Sequence, residues 1–142
     1  MDLAAVVEVL VVADRVVAGN IDYFDLGINL FNQEEYFLAH ECFENIWKKL
    51  PKNDVSKQCF QALIQTAVGC YHLKNNNYKE SLAQFYKASI KLENYLPLYN
   101  NLDIFTLHKN ISSIINCLNG NFVDIAKCNL VNLKLKKQFK EM

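Results

Sequence analysis

The strongest constraint in this sequence is an internal repeat in which matching residues lie 42 positions apart. Gly27 aligns with Gly69 and Phe43 with Phe85, and further matches pair Tyr36 with Tyr78 and Ala39 with Ser81. The repeated stretches are LGINLFNQEEYFLAHECFENI and VGCYHLKNNNYKESLAQFYKA, with a weaker third copy in INCLNGNFVDIAKCNLVNL. Each stretch predicts an apolar helix, an Asn-containing turn and a second helix. The expected unit is an antiparallel helix hairpin, in which a small residue admits the partner helix and a phenylalanine fills the space.

Proline positions and apolar periodicity divide the chain into helices. Pro51 and Pro97, the two prolines of the chain, stand where helical periodicity stops, and Gly19-Asn20 has the composition of a helix C-cap. Only the valine-rich start leaves a strand as an alternative. The predicted class is all-α, an antiparallel bundle of about five to seven helices in a single domain over residues 1–142. The helices are predicted over residues 2–18, 22–31, 33–49, 56–75, 78–95, 104–118 and 122–139.

The hairpin scheme resembles the tetratricopeptide repeat, most clearly from Gly69 through Phe85 to Ala88. The chain departs from that pattern because its repeat is 42 residues long, not about 34. Gln65 also stands at an aromatic position of the repeat, and no proline closes the unit at Glu93. The resemblance implies tetratricopeptide-like packing without membership of that family.

Composition excludes several classes of function. The formal net charge of zero predicts no general attraction to nucleic acid or acidic lipid. Glu8, Asp14 and Arg15 interrupt the apolar N-terminal stretch, whose runs are far shorter than the roughly 20 residues of a membrane span. Asp2 has the wrong sign for the start of a signal peptide. We therefore expect a soluble protein with no membrane association and no nucleic-acid partner.

Cysteines and lysines give two further expectations. Five cysteines without a CxxC spacing predict free thiols in a reducing compartment, and support neither a disulfide framework nor a zinc site; they are Cys42, Cys59, Cys70, Cys117 and Cys128. Five lysines make the last predicted helix, over about residues 122–139, basic; they are Lys127, Lys134, Lys136, Lys137 and Lys140. Such a face is typical of a solvated surface, with a nucleic-acid or partner contact as the alternative.

The stretch FNQEEYFLAHECFENIWKKL places polar residues in an apolar stripe. In a helix over residues 33–49, His40 shares one face with Tyr36, Phe43, Trp47 and Leu50, and Glu44 lies at the border of that face. The next helix carries a second stripe with Gln65 and His72, which a central helix of a hairpin stack would bury. Buried polar groups need partners, so the economical arrangement sets this stripe against His40 and Glu44. The predicted polar cluster is His40, Glu41, Glu44, Trp47, Gln61, Gln65 and His72.

Three interpretations of this polar cluster stay open. It is a buried hydrogen-bond network that fixes helix register, a metal site made by His40, Glu44 and His72, or a catalytic or small-ligand pocket with a tuned His–Glu pair. The sequence HExxE lacks the second histidine of the metalloprotease motif HExxH. His108, near a helix start, is expected to have a surface or capping role. No catalytic residue is singled out, and no cofactor or resident metal is expected.

Three stretches resemble the domain-of-unknown-function family 309, and particularly its cyanobacterial branch. They are FNQEEYFLAHECFENIW, FQALIQTAVGCYHLKNNNYKESL and YLPLYNNLD, which together run from about Tyr23 to Asp103. They carry an AHExxE-x-x-W core, the Gln65 to His72 spacing, and Pro97, Tyr99 and Asp103. The resemblance implies an all-helical bundle with the His–Glu helix at its centre, and no assigned activity. The chain departs from the branch at residues 79–81, Lys-Glu-Ser, where a glycine-containing segment is usual.

The expected function is that of an interaction or scaffold module with an unknown protein partner or with self-association. The alternative is an enzyme, or a small-ligand or metal-binding protein, that uses the His40, Glu44 and His72 pocket. An apolar linker from Tyr95 to Phe105 either caps the bundle or meets another subunit. The family likeness and the Asn-, Lys- and Ile-rich composition indicate the plastid stroma if the protein is organelle-encoded, and otherwise a bacterial cytoplasm.

Overall fold

The computed structural model describes residues 22–138, and helices dominate this part of the chain. Each helix packs against the next one in sequence, so three hairpins follow one another, and the predicted all-α class is confirmed. No helix within residues 22–138 is long and apolar enough to cross a membrane. The helix predicted over residues 2–18 lies outside the described residues. The six helices are α1 (Tyr23–Asn32), α2 (Tyr36–Lys49), α3 (Lys57–Lys74), α4 (Tyr78–Leu92), α5 (Ile104–Asn119) and α6 (Val123–Asn132).

The three hairpin turns share one backbone conformation. Glu34, Asn76 and Asn121 follow the ends of α1, α3 and α5, and all have positive φ, at 64°, 65° and 60°. In every turn the next residue donates its N–H to the carbonyl five residues earlier, which closes the helix end in a Schellman motif. The expected Asn-containing turns are therefore correct for the second and third hairpins. In the first hairpin a glutamate occupies the left-handed position, and Asn32 is the last residue of α1.

The repeated glycine–phenylalanine pairs bring the two helices of each hairpin together. A Cβ atom at Gly27 would lie 2.6 Å from the Phe43 ring, and one at Gly69 would lie 2.9 Å from the Phe85 ring. Both rings are fully buried. These distances are too short for any side chain larger than hydrogen, so the predicted packing role of both pairs is confirmed. In the second hairpin, Ser81 Oγ also donates to the Gly69 carbonyl at 2.8 Å.

The predicted basic C-terminal helix over 122–139 is wrong in its second half. Helix α6 ends at Asn132, and residues 133–138, which we call the C-terminal segment, are not helical. Of the five lysines of the predicted helix, only Lys127 lies in α6. The segment leaves the helix because Leu133 and Leu135, two residues apart, are both buried, and only an extended chain turns alternate side chains to one side.

The linker between α4 and α5 packs on the chain's own α2–α3 loop. A 3-10 turn (Glu93–Tyr95) leads into two antiparallel two-residue strands, β1 (Leu98–Tyr99) and β2 (Leu102–Asp103), which the sequence did not predict. Tyr95 Oη donates to the Val55 carbonyl at 2.7 Å, and Tyr99 Oη lies 2.6 Å from Ser56 Oγ. The linker therefore caps one end of the bundle, which was one of its two expected roles.

The five cysteines are all free thiols, as the sequence predicts. Cys42, Cys59 and Cys70 are buried in the core, whereas Cys128 is exposed. Burial raises the pKa of the Cys42 thiol to about 11 and that of Cys59 to about 12. The buried cysteines are thus protonated apolar side chains at neutral pH, with little thiolate to react.

Candidate functional site

A groove lies along the seam where α2 and α3 pack antiparallel. Two adjoining cavities, of about 230 Å³ and about 180 Å³, occupy it and share His40 and Val68 in their walls. We call it the His40 groove. Because the helices run in opposite directions, the start of α2 faces the end of α3. The groove is lined by Tyr36, Phe37, His40, Glu44, Trp47, Gln61, Ile64, Gln65, Val68, Tyr71 and His72.

His40 is surrounded by hydrogen-bond acceptors. Its Nδ1 lies 3.1 Å from the Phe37 carbonyl oxygen and 3.5 Å from Glu41 Oε1, and its Nε2 lies 3.2 Å from Glu44 Oε2. A protonated ring donates from both nitrogens, whereas a neutral ring has one N–H and leaves its other nitrogen facing an acceptor. The space between Nε2 and Glu44 therefore suits a proton, a hydrogen-bond donor or a cation.

The predicted burial of the polar cluster is wrong. The His40 side chain is 20% exposed and the Glu44 side chain 31% exposed, and Gln61, Gln65 and His72 are also only partly buried. The prediction assumed that α3 is covered on both sides, but the described residues leave the outer side of the α2–α3 seam open. The polar groups of the groove can therefore meet solvent or a ligand.

Gln65 and His72 have partners other than the predicted ones. Gln65 Oε1 accepts from Lys91 Nζ of α4 at 3.0 Å, and His72 Nδ1 lies 3.4 Å from Asn77 Nδ2. They share the groove with His40 but form no hydrogen bond with it, so the described side chains do not make a single continuous network. Sequence reasoning missed Lys91, which lies 26 residues from Gln65 along the chain and has no local signal. Burial and the neighbouring Lys87 lower the pKa of Lys91.

The possible metal ligands also differ from the predicted set. Within residues 22–138, His40, Glu41 and Glu44 are grouped with ligand atoms inside 4.8 Å of one another, so Glu41 stands where the sequence predicted His72. The 3.2 Å between His40 Nε2 and Glu44 Oε2 fits one ion at ligand distances of about 2.0–2.2 Å and an N–metal–O angle of about 100°. Glu41 approaches the other ring nitrogen, so an ion held there would have His40 and Glu44 as its protein ligands.

Exposed aromatic rings form the rim at one end of the groove. Phe37 is 47% exposed and Tyr71 42% exposed, and their ring centroids lie 6.1 Å apart. The Phe37 ring also lies 5.4 Å from the His40 ring. The predicted polar cluster included neither Phe37 nor Tyr71. The position of a residue on one helix does not by itself reveal whether another element covers that residue.

Two polar atoms in the groove walls lack a hydrogen-bond partner among the described residues. They are Tyr36 Oη and Trp47 Nε1. Tyr36 is 2% exposed, and burial raises the pKa of its hydroxyl. The Lys57 ammonium lies 4.5 Å from the centroid of the Trp47 ring. Buried donors without partners are rare in proteins, so these two atoms are unusual features of the groove walls.

The internal repeat shows that hairpin packing does not require the His–Glu pair. Positions 42 residues after His40 and Glu44 are Leu82 and Tyr86. The second hairpin has the same glycine–phenylalanine contact and the same turn as the first. The polar pair is therefore an addition to a scaffold that also forms without it, which weighs against a role only in helix register.

His108 lies in a second polar group that sequence reasoning did not assemble. Its Nε2 is 3.2 Å from Ser89 Oγ and 3.7 Å from Glu93 Oε1. A serine–histidine–acid relay needs the serine and the acid on different ring nitrogens. Here both approach Nε2, so the geometry supports a bridge between α4 and α5 and not a nucleophilic relay.

Comparison with known families gives one match. Residues 24–83 match the family described as Domain of unknown function (DUF309). This segment belongs to the domain-of-unknown-function family 309. The DUF309 match runs from α1 into α4 and includes every residue of the His40 groove. The predicted family is confirmed over these residues, while Pro97, Tyr99 and Asp103 lie beyond the DUF309 match. No curated protein matches the chain.

Proposed function

We propose that the protein is a ligand-binding helical module and that the His40 groove is its binding site. The observation that carries this proposal is the partly exposed His40–Glu44 pair, at a place where the second hairpin has Leu82 and Tyr86. A scaffold that folds with leucine and tyrosine has no structural need for an imidazole and a carboxylate there. Their presence in an open groove supports a role in recognition.

The shape of the groove supports a small organic ligand. Each cavity alone is smaller than the roughly 300–1,000 Å³ of common ligand sites, but the two adjoin at His40 and Val68. Their walls are mostly apolar and aromatic, with a few convergent polar groups, as in other small-molecule sites. A ligand with a flat apolar body would lie against Phe37 and Tyr71.

The charges of the groove support a cationic or hydrogen-bond-donating head group. The Glu44 carboxylate and the unprotonated nitrogen of a neutral His40 both accept hydrogen bonds. An amine or amidine placed between them satisfies both atoms. A transition-metal ion uses the same two atoms, because imidazole and carboxylate are ordinary ligands of zinc and manganese.

Thermal unfolding with a panel of aromatic amines and with Zn²⁺ and Mn²⁺ tests the proposal. A ligand that binds only the folded state raises the free energy of unfolding by RT ln(1 + [L]/Kd). This increase is about 2.7 kcal/mol when the ligand concentration is 100 times Kd. We expect at least one probe to stabilise the wild type and to have no effect on His40→Leu/Glu44→Tyr. Glu80→Gln, which removes an exposed carboxylate on α4, is the matched control and keeps the shift. Equal shifts in all three proteins, or a panel without effect, contradict the proposal.

A protein-interaction module is the second candidate, and the exposed Phe37–Tyr71 rim favours it. Aromatic residues are enriched where protein interfaces form. In this case the groove receives a side chain of a protein partner, or of a second copy of the chain. Sedimentation velocity over a range of concentrations tests self-association. We expect a rising sedimentation coefficient in the wild type and a constant one in Phe37→Ser/Tyr71→Ser; a constant value in both excludes self-association through this rim.

The Asn-, Lys- and Ile-rich composition supports a plastid stroma or a bacterial cytoplasm as the place of action. Fractionation of the source cells with an antibody against the protein tests this location. Recovery with a membrane or extracellular fraction contradicts it.

A further inference from the structure

The backbone of the C-terminal segment, residues 133–138, is held on one side by a single side chain of α1. Asn32 Nδ2 donates to the Leu135 carbonyl at 2.9 Å, and Leu135 N–H donates to Asn32 Oδ1 at 2.8 Å. One carboxamide thus pairs with both backbone groups of one residue, as a neighbouring strand does. Lys134 Nζ also donates to the Asn32 carbonyl at 2.9 Å.

The edge of the short β-sheet holds the other side of the C-terminal segment. Asp103 N–H donates to the Lys136 carbonyl at 2.8 Å, and Lys137 forms an antiparallel bridge with Leu102. Gln138 N–H donates to the Asn101 carbonyl at 2.5 Å. Since the backbone alternates between Asn32 and the β2 edge, the segment is bound in the manner of an added strand.

Side chains at alternate positions of the segment supply the remaining contacts. Leu133 and Leu135 are 0% and 2% exposed and belong to the core cluster. Lys137 pairs with Asp25 and lies 5.1 Å from the centroid of the Phe24 ring. The Lys137 ammonium lowers the pKa of the Asp25 carboxyl. Two leucines and a lysine, each two residues apart, therefore account for the side-chain recognition.

We infer that this surface, the segment seat, is a recognition site for an extended peptide of the pattern Leu-x-Leu-x-Lys, and that residues 133–138 are its intramolecular occupant. A partner protein that exposes such a segment binds by displacing them. Asn32 and Asp103 of the seat form hydrogen bonds with the peptide backbone. Asp25 forms an ion pair with the lysine. It is defined by Phe24, Asp25, Asn32, Asn101, Leu102 and Asp103.

The tether makes the chain's own segment a strong competitor. A short covalent link gives its occupant an effective concentration in the millimolar range. A free peptide of the same sequence therefore binds the wild type weakly. Substitutions within residues 133–138 weaken the intramolecular binding of this segment and leave the segment seat unaltered. Because the competitor is then weaker, an added peptide is expected to bind more tightly.

Fluorescence anisotropy with a labelled synthetic peptide, LKLKKQ, tests the inference on the full chain. We expect Leu135→Asp to bind the peptide at least about tenfold more tightly than the wild type. Lys137→Glu, which breaks only the partly exposed contact with Asp25, gives a smaller gain. The control peptide SKSKKQ, which lacks both leucines, binds none of the proteins. Adding Asn32→Ala to Lys137→Glu removes the gain, because the clamp on the peptide backbone is lost.

Circular dichroism first shows whether each variant is folded. If Leu135→Asp unfolds the chain, the comparison of Lys137→Glu with the wild type decides the question. Equal peptide affinity for the wild type and the folded variants overturns the inference, and so does equal binding of SKSKKQ. Neither outcome bears on the His40 groove, which shares no residue with the segment seat.

Discussion

The first and second hairpins form the same packing unit with different outer surfaces. Gly27 meets Phe43 in one and Gly69 meets Phe85 in the other, both at distances that exclude a Cβ atom. On the outer side, His40 and Glu44 of α2 correspond to Leu82 and Tyr86 of α4. Tyr86 Oη accepts a hydrogen bond from Asn119 of α5 at 2.8 Å, whereas the His40–Glu44 pair borders open cavities. Inner packing thus fixes the hairpin and leaves the outer positions free to differ between the two hairpins.

Among the variants that test the equivalence of the two hairpins, those that remove the two buried rings have the largest expected effect on stability. Phe43→Ala and Phe85→Ala each cost about 3–5 kcal/mol in the free energy of unfolding, because each leaves a cavity facing a glycine. If the hairpins are equivalent, the two costs agree within about 1 kcal/mol. Urea unfolding followed by circular dichroism measures both. A much smaller cost for one of them means that its hairpin relaxes into the cavity and that the equivalence is broken.

Adding a methyl group at the two glycines gives the next largest effect. Gly27→Ala and Gly69→Ala force the rings to move and cost about 1–3 kcal/mol. The cost is larger at Gly27, where the contact is shorter. Gly120→Ala is the control, since its closest ring, Phe122, is exposed and free to turn away. Chemical denaturation ranks the three variants, and a cost at Gly120 equal to that at Gly27 contradicts the packing argument.

The turn of the first hairpin offers a gain in stability. Glu34 has a φ of 64°, a left-handed conformation that disfavours most side chains, while the other two turns use asparagine there. Glu34→Asn is expected to stabilise the protein by about 0.5–1 kcal/mol, and Asn76→Glu to destabilise it by the same amount. The melting temperatures of both variants check these signs. A loss of stability in Glu34→Asn shows that the Glu34 carboxylate has a contact that outweighs its backbone strain.

Giving the first hairpin the outer residues of the second has the smallest expected effect on stability. His40→Leu/Glu44→Tyr changes the free energy of unfolding by no more than about 0.5 kcal/mol, as for other surface substitutions. The same variant loses the ligand response proposed for the His40 groove. Denaturant unfolding of the single variants His40→Leu and Glu44→Tyr distinguishes this outcome from the register-network interpretation, under which removing one partner of a structural polar pair costs about 3–5 kcal/mol.

Much of the fold was predictable because its determinants are local. Five of the helices described here lie within a few residues of their predicted bounds, since apolar periodicity and the two prolines set them. The repeat also gave the correct glycine–phenylalanine contacts, because a fixed spacing within one hairpin turns sequence matches into spatial ones. The choice of His40 and Glu44 as neighbours followed from their i,i+4 spacing on one helix.

The remaining features depend on what a residue meets from distant parts of the chain. Sequence periodicity marked Gln65 and His72 as buried, yet whether a helix face is covered depends on the elements that pack around it. Lys91 reaches Gln65 only because α4 folds back along α3. The lysines within residues 134–137 are compatible with either a basic helix or an extended chain. The chain is extended there because Leu133 and Leu135 are both buried.

The sequence by itself determined the helices, their pairing into hairpins and the polar pair on α2, because hydrogen bonds and spacing within one or two helices suffice for these. Only the tertiary structure decided that the His40 groove is open, and that residues 133–138 lie extended between Asn32 and β2. The physical reason is that exposure and strand pairing are set by surfaces far apart in sequence, whose meeting no local pattern encodes.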